Sequence, residues 1–433
     1  MSTHDLVQPI CAAVDDRAEA VVATLSDLVR INTVNPYSGG KVLGSEKPGQ
    51  LYLKPRLAAL GARVTLSEVP ADVYDRAGII GPKGRNFTDR PNLAAEFDFG
   101  GNGPHVLVFG HMDTVAADGM TIKPFEPARS GGRIYGRGAS DDKGGLTQAL
   151  HAIEALVRLK VPLKGKLTFA SVIEEECNGG GAGIAALLLG GCRPDVAVCV
   201  DGSGDFLGRG GAGVVTGHVD VPGRAGHAAS PDGVSALEKA LVVKAALDRY
   251  KAAREASRPL GLLNIGVFRA GVHPAVVPGD AEMEFNLVYH CDEAEAARQA
   301  GLGFTAAALR RDLEHLVADA AAADAFLVDH APRLTWVKDL PPYETPTDSP
   351  LVAAACDAWR KVHGRPPAVE TMNGWSDAAY VPMLAGCEVI NLGCGTTSVV
   401  HGPAEYVEED ILIGHTKILA LLLADLLRDK TAP

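Results

Sequence analysis

The sequence lacks the features that direct a chain to a membrane or to nucleic acid. No apolar run reaches the roughly 18 residues that a membrane span needs. Residues 181–190 are too few, and charged residues interrupt the run at 411–427. The net charge is -12, so DNA or RNA would be repelled. The N-terminus carries no basic-then-apolar signal pattern. We therefore expect a cytoplasmic protein with no membrane and no nucleic-acid partner.

Paired cysteine motifs are absent as well. The chain has eight cysteines, and no two of them form a C-x-x-C pair. Several, such as Cys199 and Cys387, lie in apolar runs that are typical of strands. This pattern predicts reduced, mostly buried thiols.

The chain has 433 residues, which is too long for one ordinary core and favours two domains. Short apolar runs alternate with helical patterns, the first of them an amphipathic helix near residues 15–30. This order predicts an α/β fold, with a mixed, mostly parallel sheet covered by helices. The predicted strands are residues 105–109, 166–172, 196–200 and 388–392, and a helix is predicted over 146–159.

The middle of the chain has a different pattern, in the order β-α-β-β-α-β. This order predicts a small α+β sandwich inserted into the larger domain. Its predicted elements are a strand at 213–221, a helix from about Ser235, strands at 263–268 and 281–289, an alanine-rich helix over roughly 293–321 and a strand at 333–337. The predicted domains are therefore a first catalytic segment at 1–211, a lid or dimerisation domain at 212–341 and a second catalytic segment at 342–433.

Acidic residues and histidines follow the predicted strands of the larger domain or open its first helix. They are His111, Asp113, Asp141, Glu174, Glu175, Glu176, Asp201 and His401. In open α/β sheets, ligands bind beyond the carboxyl ends of the strands. We therefore expect these distant side chains to converge on one site.

A pair of divalent ions would account for this set of residue types. Two close ions need a bridging carboxylate and terminal histidine or carboxylate ligands. Asp141 suits the bridge. Glu176 and His401 could complete one ion, and His111 and Asp201 the other.

Two further carboxylates suit supporting roles. Asp113 lies two residues after His111, so it can accept the other ring N–H and fix the tautomer. Glu175 could take a proton from the attacking water and pass it to a leaving nitrogen.

Taken singly, each residue has an ordinary structural interpretation. A Glu triplet is usually a solvated helix start, Asp141 before a helix suits an N-cap, and Asp201 before Gly-Ser-Gly suits a turn. The glycines at 179–183, with Asp201 about 20 residues on, also resemble a dinucleotide fingerprint. Their spacing is G-x-G-x-G, however, and a better-spaced match at 208–213 leads into a predicted strand.

Five motifs in order resemble those of the M20 metallopeptidase family, which includes acetylornithine deacetylase, succinyl-diaminopimelate desuccinylase and carboxypeptidase G2. They are GHMDTV (110–115), GRGASDDKGG (136–145), SVIEEECNGGGAG (171–183), PDVAVCVDGS (194–203) and HGPAEYV (401–407). The resemblance implies one or two divalent ions (Zn, Mn or Co) held by His111, Asp141, Glu176, Asp201 and His401. It also implies that Glu175, rather than Glu174, is the general base.

The resemblance extends to the lid and implies a homodimer formed through it. GRAGHAASP (223–231) is similar to the motif whose histidine, here His227, reaches the partner's active site and stabilises an oxyanion. The family's bridging Asp commonly precedes a cis peptide, which would here join Asp141 and Asp142.

The chain departs from the family where the family holds a substrate carboxylate. Ala275 stands in place of a common lid Asn, and Val288 in place of a strand Arg. A bidentate Arg is hard to replace with Val. Arg209 or Arg224 could substitute for it. The loop Gly393-Cys394-Gly395 also replaces the common G-P-G.

Three functions stay open from the sequence. The first is a metal-dependent hydrolase that cleaves the C–N bond of a small N-acyl amino acid or related amide. The second is an aminohydrolase that releases ammonia from an activated aromatic amine such as a nitroanthranilate. The third is a non-catalytic metal-binding homologue, against which the complete set of candidate ligands argues.

Overall fold

The computed structural model describes residues 3–177, 180–258 and 260–428. Within these ranges, no helix is both long and apolar enough to cross a lipid bilayer. The helices are α1 (Thr3–Asp15), α2 (Ala18–Arg30), α3 (Lys47–Ala59), α4 (Val73–Ala77), α5 (Lys143–Arg158), α6 (Ala182–Leu189), α7 (Ala236–Ser257), α8 (Cys291–Gln299), α9 (Ala307–Ala322), α10 (Pro350–His363), α11 (Tyr380–Leu384) and α12 (Glu409–Leu426), and a 3-10 turn spans Asp377–Ala379.

The strands form one large sheet and three smaller ones. They are β1 (Arg63–Ser67), β2 (Asn92–Gly100), β3 (His105–His111), β4 (Ala128–Ser130), β5 (Arg133–Tyr135), β6 (Gly165–Val172), β7 (Val196–Cys199), β8 (Phe206–Gly211), β9 (Gly213–Pro222), β10 (Gly226–His227), β11 (Leu263–Ala270), β12 (Val276–Val277), β13 (Asp280–Tyr289), β14 (Arg333–Leu340), β15 (Tyr343–Glu344), β16 (Ala368–Met372), β17 (Glu388–Asn391) and β18 (Tyr406–Glu408).

The large sheet has nine strands in the order β1-β2-β6-β3-β7-β17-β8-β15, with β16 paired to β8. Its centre is parallel, because β3 pairs in parallel with β6 and β7, and β17 pairs in parallel with β7. Its β1–β2 edge is antiparallel. The predicted mixed α/β sheet is confirmed, and the four strands predicted from apolar runs are its parallel centre.

Helices cover both faces of this sheet, and β3 shows why its sequence is continuously apolar. Successive side chains of a strand point to opposite faces. Val106 and Val108 accordingly pack into the cluster that contains the apolar side of α5 and α12. Leu107 and Phe109 pack into the cluster that contains α6. A strand buried on both sides needs apolar residues at every position.

The predicted α+β sandwich contains a four-stranded antiparallel sheet, in the order β11-β13-β9-β14. One face of this sheet packs against α7 and α9, through side chains such as Val215, Phe285 and Leu287. The opposite face carries Val214, Asn286 and other half-buried residues. We call residues 212–341 the lid.

The alanine-rich helix predicted over 293–321 is wrong as one element. The structure has two helices there, α8 and α9. Gly301 and Gly303 lie between them with φ values of 75° and 78°. Left-handed backbone ends a helix, and glycine adopts it without a steric penalty. The frequent alanines favoured one continuous helix in the prediction, although Gly301 and Gly303 end the first helix before the second begins.

The eight cysteines are all unpaired, in agreement with the prediction of free thiols. Only Cys177, Cys199 and Cys394 are fully buried, however, and the other five are half-buried. The prediction of mostly buried thiols was therefore too strong, because cysteines on helices such as α1 and α10 face the boundary of the core.

Candidate metal centre and active site

The parallel centre of the large sheet brings the predicted residues to one edge. His111 is the last residue of β3, and Glu174–Glu176 follow β6. Asp201 follows β7, and the loop that carries His401 follows β17. The carboxyl ends of parallel strands share one edge, so chain positions nearly 300 apart become neighbours.

Four of these side chains form a tight cluster around Asp141. One carboxylate oxygen of Asp141 lies 2.9 Å from Nε2 of His111, and the other lies 3.1 Å from Nε2 of His401. His401 Nε2 also lies 3.1 Å from Oε1 of Glu176. Ligand atoms of His111, Asp141 and Glu176 all lie within 4.8 Å of one another. Each Asp141 oxygen thus faces a different histidine, as a bridging carboxylate does.

The carboxylates of the cluster are close together and buried, so positive charge nearby stabilises them. The carboxylates of Asp141 and Glu176 accept hydrogen bonds from His401 and raise the pKa of this histidine to about 11. Burial opposes protonation of His111, but the carboxylates of Asp113 and Asp141 outweigh it and raise the pKa of that histidine. Burial and the charge of Asp141 raise the pKa of Glu176 to about 7. Protons on the histidines offset the crowded carboxylates, and a divalent cation would replace them. Imidazole nitrogens and carboxylate oxygens are donors that suit Zn, Mn and Co.

The three consecutive glutamates have three different surroundings. Glu174 is fully buried at φ 69°, and its carboxylate lies 2.7 Å from Nη2 of Arg90. Glu176 faces His401. Glu175 is half-buried and lines a cavity, and burial raises its pKa well above the usual range. Glu174 lines no cavity of the site, whereas Glu175 and Glu176 both do, and of these two Glu176 is held by His401.

Asp113 supports the site, but not by the contact predicted. The ring Nδ1 of His111 lies 2.9 Å from the backbone oxygen of Asp113, and 3.6 Å from its carboxylate. The carboxylate instead accepts the backbone N–H groups of Glu175 and Glu176, at 3.3 and 2.9 Å. The two-residue spacing does place Asp113 beside His111, as predicted. The spacing alone does not reveal that the backbone of Glu175 and Glu176 binds the Asp113 carboxylate.

Asn35, Arg90 and Glu46 were missed by sequence reasoning. Asn35 donates through Nδ2 to Asp113 at 2.7 Å and to Glu174 at 3.2 Å. Arg90 is bound by Glu174 on one side and by Glu46 on the other. All five residues are buried. Their signal in the sequence is weak, because isolated polar residues in loops are usually exposed.

Glu405 and Arg137 hold the loop that carries Asp141. Glu405 accepts the backbone N–H groups of Gly138, Ser140 and Asp141, at 3.1, 3.0 and 3.2 Å. It also lies 2.7 Å from Nη1 of Arg137. Both charged side chains are almost fully buried. The peptide bond between Asp141 and Asp142 is cis, as the resemblance implied. Glu405 and Arg137 lie inside two of the sequence motifs, which is the signal that could have identified them.

The loop after β17 closes on Asp201. Asn391 donates through Nδ2 to the backbone oxygen of Asp201 at 2.8 Å. A side chain on Gly393 would meet the backbone nitrogen of Gly202 at 2.4 Å, so only glycine allows this approach. Burial and the charge of Asp141 raise the pKa of Asp201 to about 6. Asp201 lines the same cavity as Asp141 and Glu176.

Two neighbouring cavities open at the cluster and share Glu175, Glu176, Trp375 and His401. The sheet-side cavity has a volume of about 620 Å³ and also contacts Asp141 and Asp201. The lid-side cavity has a volume of about 410 Å³. Its further walls are Tyr37, Ser38, Val115, Val214, Asn286, Lys338 and Leu340. Both volumes lie in the range of small-molecule sites.

The structure does not bring His227 to the cavities of its own chain. His227 is exposed in the short β10–β12 sheet, where its Nδ1 accepts the backbone N–H of Ala229 at 3.1 Å. Ala275 lies beside it, since its backbone oxygen accepts the N–H of Ala228. The role of His227 in a partner's site stays a prediction.

Arg209 and Arg224, which could have replaced the family arginine that is missing at Val288, bind other residues. Arg209 lies 2.6 Å from Glu344, and Arg224 lies over the ring of Phe326. Of the described residues that line the two cavities, Lys338 is the one with a lysine or arginine side chain.

The better-spaced glycine run at 208–213 leads from β8 into β9 rather than into a helix. Gly179 of the other glycine run lies outside the described residues.

Comparisons with known proteins agree with this architecture. The chain is 25% identical to N-formyl-4-amino-5-aminomethyl-2-methylpyrimidine deformylase of Halalkalibacterium halodurans, over 96% of each chain. It is 27% identical to succinyl-diaminopimelate desuccinylase of Pseudoalteromonas translucida, over 79% of this chain and 88% of the relative. The fold matches the Bacillus subtilis YXEP protein, described as a dinuclear metal binding peptidase from the M20 family, with a TM-score of 0.64, 16% identity and coverage of 95% and 99%.

The sequence profile described as Peptidase family M20/M25/M40 matches residues 107–425. The match includes the five motifs and the lid, and it spans most of the chain. The chain belongs to peptidase family M20/M25/M40, a family of metal-dependent hydrolases.

Proposed function

We propose that this enzyme hydrolyses the amide bond of a small N-acyl amino acid or a related compound. The observation that carries the proposal is the position of Glu175, which lines a cavity together with Glu176 and His401 of the cluster. A proton acceptor and a set of metal donors thus face one space of small-molecule size. Two of the relatives, a deformylase and a desuccinylase, are named for removing acyl groups, which supports a C–N substrate.

Two divalent ions fit the donors in this arrangement. Asp141 would bridge them, with His111 and Asp201 on one side and Glu176 and His401 on the other. The similar fold of the Bacillus subtilis YXEP protein, a dinuclear metal binding peptidase, supports two ions. Zn, Mn and Co are the expected metals. Bound ions act as Lewis acids that polarise a carbonyl and lower the pKa of a water to ~7.

Residues of the chain would transfer the proton and position the catalytic base. Glu175 accepts the proton of the attacking water and delivers it to the leaving nitrogen. Asp113 holds the backbone of Glu175 and Glu176, so that the base keeps its place beside the ligand. Trp375, Val214 and Leu340 supply apolar walls that can contact the apolar part of a substrate.

The test combines metal removal with product identification. Chelator-treated enzyme should lose activity on a panel of N-formyl and N-acetyl amino acids, and added Zn, Mn or Co should restore it. The products should be a carboxylate and a free amine in equal amounts. Full activity in a sample verified as metal-free would contradict the proposal. Ammonia released from an aromatic amine such as a nitroanthranilate, with no activity on the N-acyl amino acids, would instead identify the aminohydrolase alternative.

We further propose that two chains associate through the lid, taken as residues 212–341. Leu237 and Leu241 are exposed on α7, and Phe268 is exposed on β11. β11 is an edge strand of the lid sheet, so its outer backbone groups can pair with another chain. An apolar helix side beside an open strand edge is typical of an interface. Sedimentation equilibrium should give a dimer for the wild type and a monomer for Leu241→Glu.

A further inference from the structure

Lys338 is a buried cation on the lid wall of the active-site cavity. Its side chain is 3% exposed, and it lines the lid-side cavity together with Glu175 and His401. The position results from a bulge in β14. The pairing register with β9 shifts between Trp336 and Lys338, so Val337 is the extra residue. The bulge places Lys338 opposite Thr216.

The neighbours of Lys338 across the sheet form a polar row. Lys338 pairs with Thr216 on β9, and Thr216 pairs with Asn286 on β13. The hydroxyl of Thr216 donates to Oδ1 of Asn286. With its oxygen bound in this way, Asn286 presents its NH2 group as a donor, and Asn286 lines the same cavity. The next row on the same face is apolar, with Val214 paired to Val288.

The charge of Lys338 matters because burial opposes it. Burial lowers the pKa of Lys338 to about 8, against the opposing effects of Cys177 and Glu175. The side chain is therefore still mainly cationic at pH 7. A lysine and an amide N–H that line one cavity together match the two oxygens of a carboxylate.

We propose that Lys338 and Asn286 bind the carboxylate of the substrate's amino-acid part, so that the enzyme prefers anionic amides over neutral ones. This inference rests on the proposed amide hydrolysis. The acyl carbonyl would lie near Glu176 and His401, which line the lid-side cavity together with Asn286 and Lys338. Lys338 is then a specificity-determining residue on a strand different from that of Val288.

The test compares paired substrates that differ only in this charge. Each N-formyl or N-acetyl amino acid of the panel is paired with its C-terminal carboxamide. For the wild type we expect the carboxylate to be the better substrate in kcat/KM. In Lys338→Met, KM for the carboxylate should rise about 100-fold, the loss expected for a buried charged hydrogen bond. KM for the carboxamide should stay nearly unchanged, and Lys338→Arg should recover part of the preference.

Control measurements separate the possible failures. Lys54→Met, which removes an exposed lysine from α3 outside the lid, should behave as the wild type. Unchanged hydrolysis of the carboxamide by Lys338→Met shows that the lid and cavity are intact. Equal wild-type activity on both members of each pair, or equal loss of both in Lys338→Met, overturns the inference and leaves the proposed hydrolysis standing. A wild-type enzyme with restored metal that hydrolyses no member of any pair overturns both.

Discussion

The two walls of the active-site cleft hold their polar side chains in different ways. At the edge of the large sheet, Asp141 and Glu175 lie on loops, and buried carboxylates bind the backbone of those loops. On the lid, Asn286 and Lys338 lie on strands, and the pairing register sets the spacing of their backbone positions. The loop positions depend on buried carboxylates that bind their backbone, whereas the strand positions are fixed by the backbone pairing of the sheet. Changes at the sheet edge should therefore affect kcat and stability, and changes on the lid should affect binding or the partner subunit.

Glu175→Gln should give the largest effect. The amide cannot accept a proton, so we expect kcat to fall by about 1000-fold with little change in KM. Metal content, measured by mass spectrometry, should equal that of the wild type because Glu176 and His401 remain. Glu238→Gln, an exposed glutamate in the first turn of α7, is the matched control. A Glu175→Gln enzyme that kept more than about a tenth of wild-type kcat would remove Glu175 from the role of base.

Arg90→Met should give the second-largest effect, on stability. It leaves the buried carboxylates of Glu46 and Glu174 without their shared guanidinium. We expect the free energy of unfolding to fall by about 3 kcal/mol, measured by urea denaturation. Arg30→Met, which removes an exposed partner of Asp27, should change it by less than about 0.5 kcal/mol. Equal effects of the two substitutions would show that the buried network does not support the site.

His227→Ala tests the lid wall and should lower kcat by about 100-fold, the loss expected for one oxyanion donor. Mixing this variant with Glu175→Gln shows whether His227 acts in the partner. Random mixing would recover about a quarter of wild-type activity, because half of the dimers carry one intact composite site. If the subunits are shown to exchange and no activity is recovered, His227 does not act in the partner's site. It then either acts in the site of its own chain or has no catalytic role.

Asp113→Asn should give the smallest effect of the four. The amide keeps the shape of the side chain but weakens its contacts with the backbone of Glu175 and Glu176. We expect kcat/KM to fall by about 30-fold, as for other residues that orient ligands. Asp118→Asn is the matched control, since Asp118 accepts the backbone N–H of Lys41 in an exposed loop. Identical kinetics for both variants would mean that the loop is held by other contacts.

The sequence predicted the parallel centre of the sheet well, and the cluster at its edge with it. β3 was predicted at 105–109 and spans His105–His111, because a strand buried on both faces has a clear apolar signal. The positions of His111, Asp141 and His401 then follow from the sheet edge. Their assignment as metal ligands stays a prediction, although the geometry brings them within reach of one another.

The lid wall and the supporting residues could not be predicted in the same way. The strand at 333–337 was predicted to end before Lys338, since alternation cannot reveal a bulge that shifts the register by one residue. Asn35 acts through contacts with residues 78 and 139 positions away, and no local pattern identifies it, whereas the motif around Glu405 marks that residue without showing what it contacts. The break between α8 and α9 occurs at Gly301 and Gly303, and the prediction missed it because the surrounding alanines favour a helix.

The contact between Glu405 and Arg137 also constrains when the site can form during synthesis. Glu405 lies 268 residues after Arg137, and the whole lid is made between them. As the chain leaves the ribosome, Gly138–Asp141 therefore lacks the acceptor that fixes its backbone until Glu405 has been made, which is roughly 10 to 50 seconds after Arg137 at elongation rates of roughly 5–20 residues per second. A nascent chain stalled before this point would contain the sheet and the lid, yet its Asp141 loop would lack the Glu405 contact. The Asp141 loop can therefore reach its final structure only after the lid has been synthesised.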